Sequence, residues 1–242
     1  ATPGCTAEEF CGVDDLIAVA QVSNGSVANV DAVAAQGGSA GLVQADVVYW
    51  AYNSKGPFEG EAPRSELRVL ANLYPGSLHI VTSPDSGIKS VADLRGKRVA
   101  LDEPGSGTLA TAELVLAASG IEKDDFTPLY IKRNHAAQML EAGEIDAFFV
   151  VAGYPTGSVL ELSETTPIQL VPLEEDVIAV ISSEHPYLTP GEIPAGTYPG
   201  VDAGIPSLNI GTQLVVHEDL DPQLAHDIVA AIWNDRTRTL LD

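Results

Sequence analysis

The chain has 242 residues, a length that suits either one large domain or two lobes of roughly 100 residues each. Hydrophobic residues make up 45% of the chain, which supplies the apolar surface that a disordered protein lacks. The formal net charge of -22 repels phosphate backbones and anionic headgroups, so the composition argues against nucleic acid and membrane surfaces as partners.

The start of the chain carries the only cysteines, Cys5 and Cys11. Their spacing permits a small disulfide loop, which would indicate an extracytoplasmic location; two free thiols or half of a lost metal site are the alternatives. We find no apolar run of about 18 residues and no basic-then-apolar leader. We therefore expect an exported protein whose signal peptide has been removed and which does not insert into a membrane.

Apolar runs rich in β-formers alternate with amphipathic stretches along the chain. In the first part, the pattern predicts a strand over 16–23, a helix over 26–36, a strand over 40–44, a helix over 47–53 and strands over 67–74 and 78–82. The second part is predicted as a strand over 98–102, a helix over 108–119, a strand over 127–131, a helix over 134–142 and a strand over 145–150. A strand over 207–216 and a helix over 222–235 complete an α/β protein with mostly parallel sheets.

Two stretches rich in Pro and Gly, 83–97 and 184–206, are the candidate crossings between lobes. They predict a discontinuous first lobe, 1–84 with 206–242, and a second lobe over 85–205. We expect the ligand cleft to lie between the two lobes.

Two helix starts are the first candidate binding elements. Asn24-Gly25 predicts a turn that places Ser26 at a helix N-cap, where unpaired N–H groups and the side chains of Ser26 and Asn29 could bind a carboxylate. An ordinary cap without a ligand is the alternative.

The second start is Gly105-Ser106-Gly107-Thr108, which opens the helix predicted from 108. Its letters formally fit a dinucleotide-binding turn, and a purely structural Gly-rich turn is a further possibility. Asp102 and Glu103 precede the turn where a pyrophosphate would approach, and no ribose-binding acid ends the next strand. We therefore favour an acid-binding helix start over a nucleotide site.

Strand ends supply the other candidates. Gln44 and Asp46 follow the strand 40–44 at the edge where open α/β sheets bind ligands, although Asp46 could simply cap the next helix. Gly153 and Tyr154 could add a backbone donor and an aromatic wall after the strand 145–150, and Pro155 is placed as the first residue of a helix.

Catalytic and cofactor motifs are not found: the chain has no G-x-S-x-G elbow, no H-E-x-x-H, no EF-hand loop and no Walker lysine. The five histidines are dispersed and show no ligand spacing. We expect a protein that is not an enzyme, with no cofactor and no metal.

Six motifs occur in the order GSVANV, GLVQAD, LRVLANLYPGSLHIV, SGIKSVADLRGKRVALDEPGSGT, AGEIDAFFVVAGYP and IPAGTYPGV. Over roughly residues 20–235 this order resembles the TAXI branch of TRAP-transporter solute-binding proteins. The resemblance implies a type II periplasmic-binding-protein fold, a ligand such as glutamate or a related C4–C5 dicarboxylate or hydroxy acid, and membrane permease subunits as partners.

The same resemblance assigns the ligand contacts to the candidate segments above, none of which contains Lys or Arg; they hold Ser26, Asn29, Gln44, Gly105 to Thr108, and Gly153 to Pro155. It implies a periplasmic location and an acid held by neutral donors. TAXI receptors begin with a strand ahead of the one matching 16–23, so the first strand of lobe one is expected to be missing. A ligand-sensing domain of a signalling protein and a dinucleotide-dependent oxidoreductase are the rival functions.

Overall fold

A computed structural model describes residues 12–13, 16–35, 39–235, 237 and 239. The predicted disulfide between Cys5 and Cys11 lies outside the described residues.

Helices and strands alternate through most of the described chain. The helices are α1 (Ser26–Ala35), α2 (Ala45–Asn53), α3 (Gly107–Ala118), α4 (Arg133–Glu141), α5 (Gly157–Thr165), α6 (Glu175–Glu184) and α7 (Pro222–Ile232). The strands are β1 (Ala40–Gln44), β2 (Leu67–Thr82), β3 (Arg98–Ala100), β4 (Thr127–Leu129), β5 (Ala147–Ala152), β6 (Gln169–Leu170), β7 (Leu188–Ile193) and β8 (Ile205–His217).

The strands form one sheet in the order β1-β8-β2-β5-β3-β4, with β6 paired to β2 and β7 paired to β8. The predicted α/β class is confirmed. The expectation of mostly parallel pairing is wrong: among the described strands, only β3 pairs in parallel, with β4 and β5, while β1, β2, β6, β7 and β8 pair antiparallel. The crossover helices α3 and α4 account for the parallel part, as crossover connections require.

Two long strands, β2 and β8, run through the middle of the sheet. The sequence predicts separate strands over 67–74 and 78–82, but Pro75 and Gly76 between them stay in register with Gly211 and Ile210, so β2 is continuous. Register shifts interrupt the ladder between Val69 and Ala71 and between Asn72 and Tyr74. The β2–β8 ladder therefore connects the end of the molecule that carries β1 to the end that carries β3 and β5.

The predicted strand over 16–23 is wrong. This segment has no regular secondary structure, and its apolar side chains are exposed, with Ile17 at 88% and Val22 at 96%. An extended segment becomes a strand only where a neighbour completes its hydrogen bonds, and no described strand pairs with it. The local pattern is strand-like, but the ladder that it needs is not provided by the described residues.

Most predicted helices are confirmed to within a residue or two, whereas only the start of α5 was predicted, at Pro155, and α6 was not predicted. Pro155 is not the first residue of a helix, because α5 begins at Gly157 and Thr156 is its N-cap. Ser26 is not an N-cap either: it is the first residue of α1, and its hydroxyl oxygen accepts from the backbone N–H of Gln44 at 3.1 Å.

The core divides into clusters on both faces of the sheet. Phe148 and Phe149 are buried in different clusters, one on each face, because successive strand residues point to opposite sides. Both side chains are therefore part of the core. A third cluster, around Val47, Trp50 and Phe58, holds α1 and α2 against β1 and β8.

A buried polar chain crosses the core beneath α5. The His79 Nδ1 atom lies 2.9 Å from the Ser77 carbonyl, so Nδ1 carries the proton, and Nε2 accepts from the Tyr198 hydroxyl at 2.9 Å. That hydroxyl in turn accepts from the backbone N–H of Thr156 at 3.0 Å. Burial lowers the pKa of His79 to about 4, which keeps the imidazole neutral at pH 7.

Replacement of Tyr198 by Phe is expected to lower the free energy of unfolding by about 1–3 kcal/mol, because both His79 Nε2 and the Thr156 N–H would be buried without a partner. Urea unfolding at pH 7 measures the loss. Tyr52→Phe removes a hydroxyl from a side chain that is 49% exposed and is the matched control. Equal stabilities of the two variants would contradict the role assigned to the Tyr198 hydroxyl.

Candidate functional site

A cavity of about 510 Å³ opens where the starts of α1, α3 and α4 approach β2, β5 and β8. Its size suits a small organic molecule. It lies beside the carboxyl ends of β1, β3 and β5, the edge at which the sequence places the site.

The structure brings part of the predicted set together. The predicted residues in the wall of this cavity are Ser26, Gln44, Ser106, Gly107, Thr108 and Gly153. Those that lie outside the wall are Asn29, Asp46, Gly105, Tyr154 and Pro155.

Three of the residues outside the wall, Asn29, Gly105 and Asp46, make structural contacts within the protein instead. The side-chain Nδ2 of Asn29 donates to the Leu42 carbonyl at 2.8 Å, which ties α1 to β1. The Gly105 carbonyl accepts from the N–H groups of Val27 and Ala28, each at 3.1 Å. The donors that the sequence predicts at the start of α1 are therefore largely used within the protein.

Asp46 is fully buried in the first turn of α2, away from the cavity. One carboxylate oxygen accepts from the backbone N–H of Val47 at 2.8 Å, and the other accepts from the Thr111 hydroxyl on α3 at 2.9 Å. Burial, opposed by these hydrogen bonds, raises the pKa of Asp46 to about 6. The side chain joins two helices and does not line the cavity.

The start of α3 keeps donors free. Ser106 is the N-cap, and its hydroxyl oxygen accepts from the Leu109 N–H at 3.0 Å. Within the described part of the chain, the backbone N–H groups of Gly107 and Thr108 have no acceptor. Helix starts of this kind bind carboxylates and other anions through backbone donors and the helix dipole.

Gln44 completes this corner of the cavity. Its side-chain Oε1 is buried and has no hydrogen-bond partner among the described residues. A Cβ atom at Gly107 would lie 1.9 Å from Gln44 Oε1 and 2.9 Å from the Ser26 hydroxyl oxygen. Only glycine at 107 therefore lets the carboxamide reach the start of α3.

Charged residues in the wall were missed from the sequence. Asp102 and Glu103 follow β3, and Lys132 and Arg133 open α4, so the wall of this cavity contains Lys and Arg, unlike the segments that the sequence singles out. A signal was present: the acidic pair stands at the end of the strand predicted over 98–102, and the basic pair directly follows the strand predicted over 127–131. Parallel strands end at the same sheet edge, which is why the two pairs converge.

The acidic side of the wall is unusual in its backbone. Asp102 has a left-handed conformation at φ +73, which non-glycine residues seldom adopt outside functional or strained sites. Burial raises the pKa of Asp102, while the Glu103 N–H and the nearby charge of Arg133 act in the opposite direction. The two acids also face the turn where the dinucleotide alternative needs a pyrophosphate, which disfavours that alternative.

Neither a metal site nor a membrane-spanning helix occurs among the described residues. Among the described residues, no group of three or more His, Cys, Asp or Glu side chains is arranged to hold a metal ion. None of the described helices combines the length and apolar character needed to cross a bilayer.

The fold is that of the periplasmic binding proteins. The periplasmic aliphatic sulphonate binding protein SsuA of Escherichia coli is 12% identical and superposes with a TM-score of 0.50, over 90% of this chain and 64% of its own. A Bordetella bronchiseptica RB50 protein is 19% identical, with a TM-score of 0.52 over 86% of this chain and 57% of its own. These likenesses show the fold alone.

An amino acid ABC transporter substrate-binding protein of Streptococcus pneumoniae, AbpA, solved with L-arginine, is 12% identical, with a TM-score of 0.45 over 74% of this chain and 59% of its own. The chain thus spans less than two thirds of the length of these solved structures. The NMT1-like family model matches residues 9–240, and the chain belongs to the NMT1-like family.

Proposed function

We propose that this chain is a periplasmic solute-binding receptor that captures a small organic acid and delivers it to membrane permease subunits. The observation that carries the proposal is the free start of α3: two N–H donors without an acceptor face a cavity beside a buried carboxamide oxygen that also lacks a partner. Such unpaired groups are costly in an empty site and gain partners when a ligand enters.

The transporter type that we propose is TRAP, TAXI branch, on the order of the six motifs. Glutamate and related C4–C5 dicarboxylates or hydroxy acids are the first ligands to test. The sulfonate and amino acid ligands of the fold's other members extend the panel to taurine and neutral amino acids. The alternative function is that of a ligand-sensing domain in a signalling protein. Such a domain would use the same cavity but would have a different partner.

Cleft closure is part of this proposal. We assign one lobe to residues 1–84 with 206–242 and the other to 85–205. The β2–β8 ladder of the first lobe continues into the second through the pairing of residues 77–82 of β2 with β5. The interrupted register near Asn72 and Tyr74 lies close to the cavity, where Tyr74 and Gly76 form part of the wall. Local irregularity in a shared ladder is where a hinge between the lobes can absorb backbone rotation.

Gly107→Ala tests the site. The added methyl group displaces the Gln44 carboxamide and covers the free N–H groups of α3, so a ligand found in a thermal-shift panel is expected to bind at least tenfold more weakly. The panel contains glutamate, 2-oxoglutarate, 2-hydroxyglutarate, succinate, malate, taurine, and glutamine with other neutral amino acids; NAD(H) and NADP(H) are the controls. A true ligand at 100 times its Kd adds about 2.7 kcal/mol of stability.

Gly157→Ala is the matched control, because Gly157 is the first residue of α5 as Gly107 is of α3, and its Cβ meets no atom within 4 Å. Binding lost in Gly107→Ala and kept in Gly157→Ala supports the proposal. A shift with nucleotides alone, or equal binding by both variants, would contradict it.

A further inference from the structure

The cavity wall carries charges of both signs that cancel. Asp102 and Glu103 contribute two negative charges at pH 7, and Lys132 and Arg133 contribute two positive ones. A ligand with a net charge of zero leaves this balance intact, whereas a dianion adds two charges to a protein whose formal net charge is already -22. The wall therefore favours a ligand that carries both signs of charge.

The two acids of the wall differ in their partners. Glu103 forms an ion pair with Lys132, with 3.1 Å between Oε1 and Nζ. Asp102 accepts from the Glu103 backbone N–H at 2.9 Å and also interacts with the Thr108 hydroxyl, but no described cationic side chain forms an ion pair with it. Its carboxylate is thus the wall acid that can receive a cation from a ligand.

The neutral groups of the wall are also of two kinds. Gln44 Oε1 is an acceptor without a donor, and the residue Gln44 is 9% exposed. The N–H groups of Gly107 and Thr108 are donors for which the described chain holds no acceptor. A carboxylate or sulfonate supplies acceptors only, while an ammonium group supplies donors only, so one ligand group cannot satisfy both kinds.

We propose that the ligand is a zwitterion, whose ammonium group contacts Asp102 and Gln44 and whose acid group contacts the N–H groups that begin α3. The inference rests on the proposed function and narrows its ligand class to amino acids or aminosulfonates, ahead of dicarboxylates and hydroxy acids. Asp102 then determines specificity for the ammonium group. The raised pKa of Asp102, caused first by burial, agrees with a carboxylate that lacks a direct cationic partner.

Calorimetric titration at pH 7.5 with matched probes tests this assignment. Each set compares one compound that has an ammonium group with analogues that lack it. The sets are L-glutamate with 2-hydroxyglutarate and glutarate, taurine with isethionate, and alanine with lactate. We expect one amino member to bind at least tenfold more tightly than its analogues. Asp102→Asn should weaken the binding of that amino member at least tenfold and leave the affinity of its analogues unchanged or higher. The reason is that the variant removes the charge of the side chain and keeps its shape.

Asn is a suitable replacement, since it tolerates a left-handed backbone and can still accept from the Glu103 N–H. Asp85→Asn removes a charge from an exposed turn and controls for net charge. If an analogue without the ammonium group binds as tightly as its amino partner, or if Asp102→Asn leaves the amino member unaffected, the zwitterion assignment is overturned while the receptor function stands. If no matched probe binds the wild-type protein while succinate, malate or 2-oxoglutarate does, the zwitterion assignment is likewise overturned and the receptor function stands. If neither the matched probes nor the earlier panel binds, the proposed function falls and the assignment with it.

Discussion

Asp46→Asn is expected to stabilise the protein at pH 7.5 by as much as about 3 kcal/mol, the equivalent of a shift of about two pKa units. Burial raises the pKa of Asp46 from 3.8 to about 6, so the folded protein holds this proton more tightly than the unfolded chain does. The resulting stability is fully present below about pH 4 and is lost as the pH rises through 6. At pH 7.5 the folded protein contains a buried, negatively charged carboxylate. In the Asp46→Asn variant an uncharged amide takes its place.

The hydrogen bonds around Asp46 allow this exchange. An amide oxygen can accept from the Val47 N–H, and the amide nitrogen can donate to the Thr111 hydroxyl. The hydroxyl is then free to donate to the Gly107 carbonyl, which lies 3.0 Å away. The titratable neighbour Tyr187 has a pKa of about 12 and stays neutral throughout this range.

Urea unfolding from pH 4 to pH 8 measures the effect as the difference between wild type and variant. Asp176→Asn is the matched control: Asp176 is the second residue of α6, accepts from its neighbour's N–H at 3.0 Å as Asp46 does, and is exposed. The wild type should lose stability relative to Asp46→Asn between pH 4 and pH 6, and no such step should separate it from Asp176→Asn. Parallel pH profiles for all three proteins would contradict the prediction.

Gly25→Ala is expected to cost about 2–4 kcal/mol of unfolding free energy. Gly25 has φ +126, and a Cβ at this position would lie 2.9 Å from the Cα of Ser106, a backbone atom that cannot rotate away. The methyl group would force α1 away from the turn whose Gly105 carbonyl accepts from Val27 and Ala28. Backbone strain and the loss of these hydrogen bonds therefore both lower the stability of the Gly25→Ala variant.

Gly60→Ala separates these contributions, because Gly60 also has a positive φ, +85, but a Cβ there meets no atom within 4 Å. Its loss should be about 1 kcal/mol, from backbone strain alone. Thermal and urea unfolding of both variants, with ligand titration of each, give the comparison. A Gly25→Ala variant no less stable than Gly60→Ala would show that the α1 and α3 starts do not depend on this close approach.

The alternation of apolar residues identified most helices and the α/β class, because periodicity depends on which face of an element is buried. The same reasoning placed Ser106 to Thr108 at a helix start, where the structure has a cavity. These features depend on residues close together in the chain.

Pairing between distant segments was beyond the sequence. The pattern over 16–23 predicts a strand, yet without a paired neighbour in the described chain those residues are exposed, while Pro75-Gly76 looks like a break and stays inside a continuous strand. In both cases backbone hydrogen bonding to another segment decided the outcome, and local composition does not encode the partner.

The sequence by itself determined the class of fold, the start of α3 and the candidate role of Gln44, since each follows from local pattern and strand ends. Only the tertiary structure decided that Asp102 and Arg133 enter the same wall, that Asp46 is buried between α2 and α3, and that the Gly105 carbonyl occupies the donors of α1. The physical reason is that burial, convergence of charges and saturation of donors depend on atoms brought together across tens of residues, which no local propensity fixes.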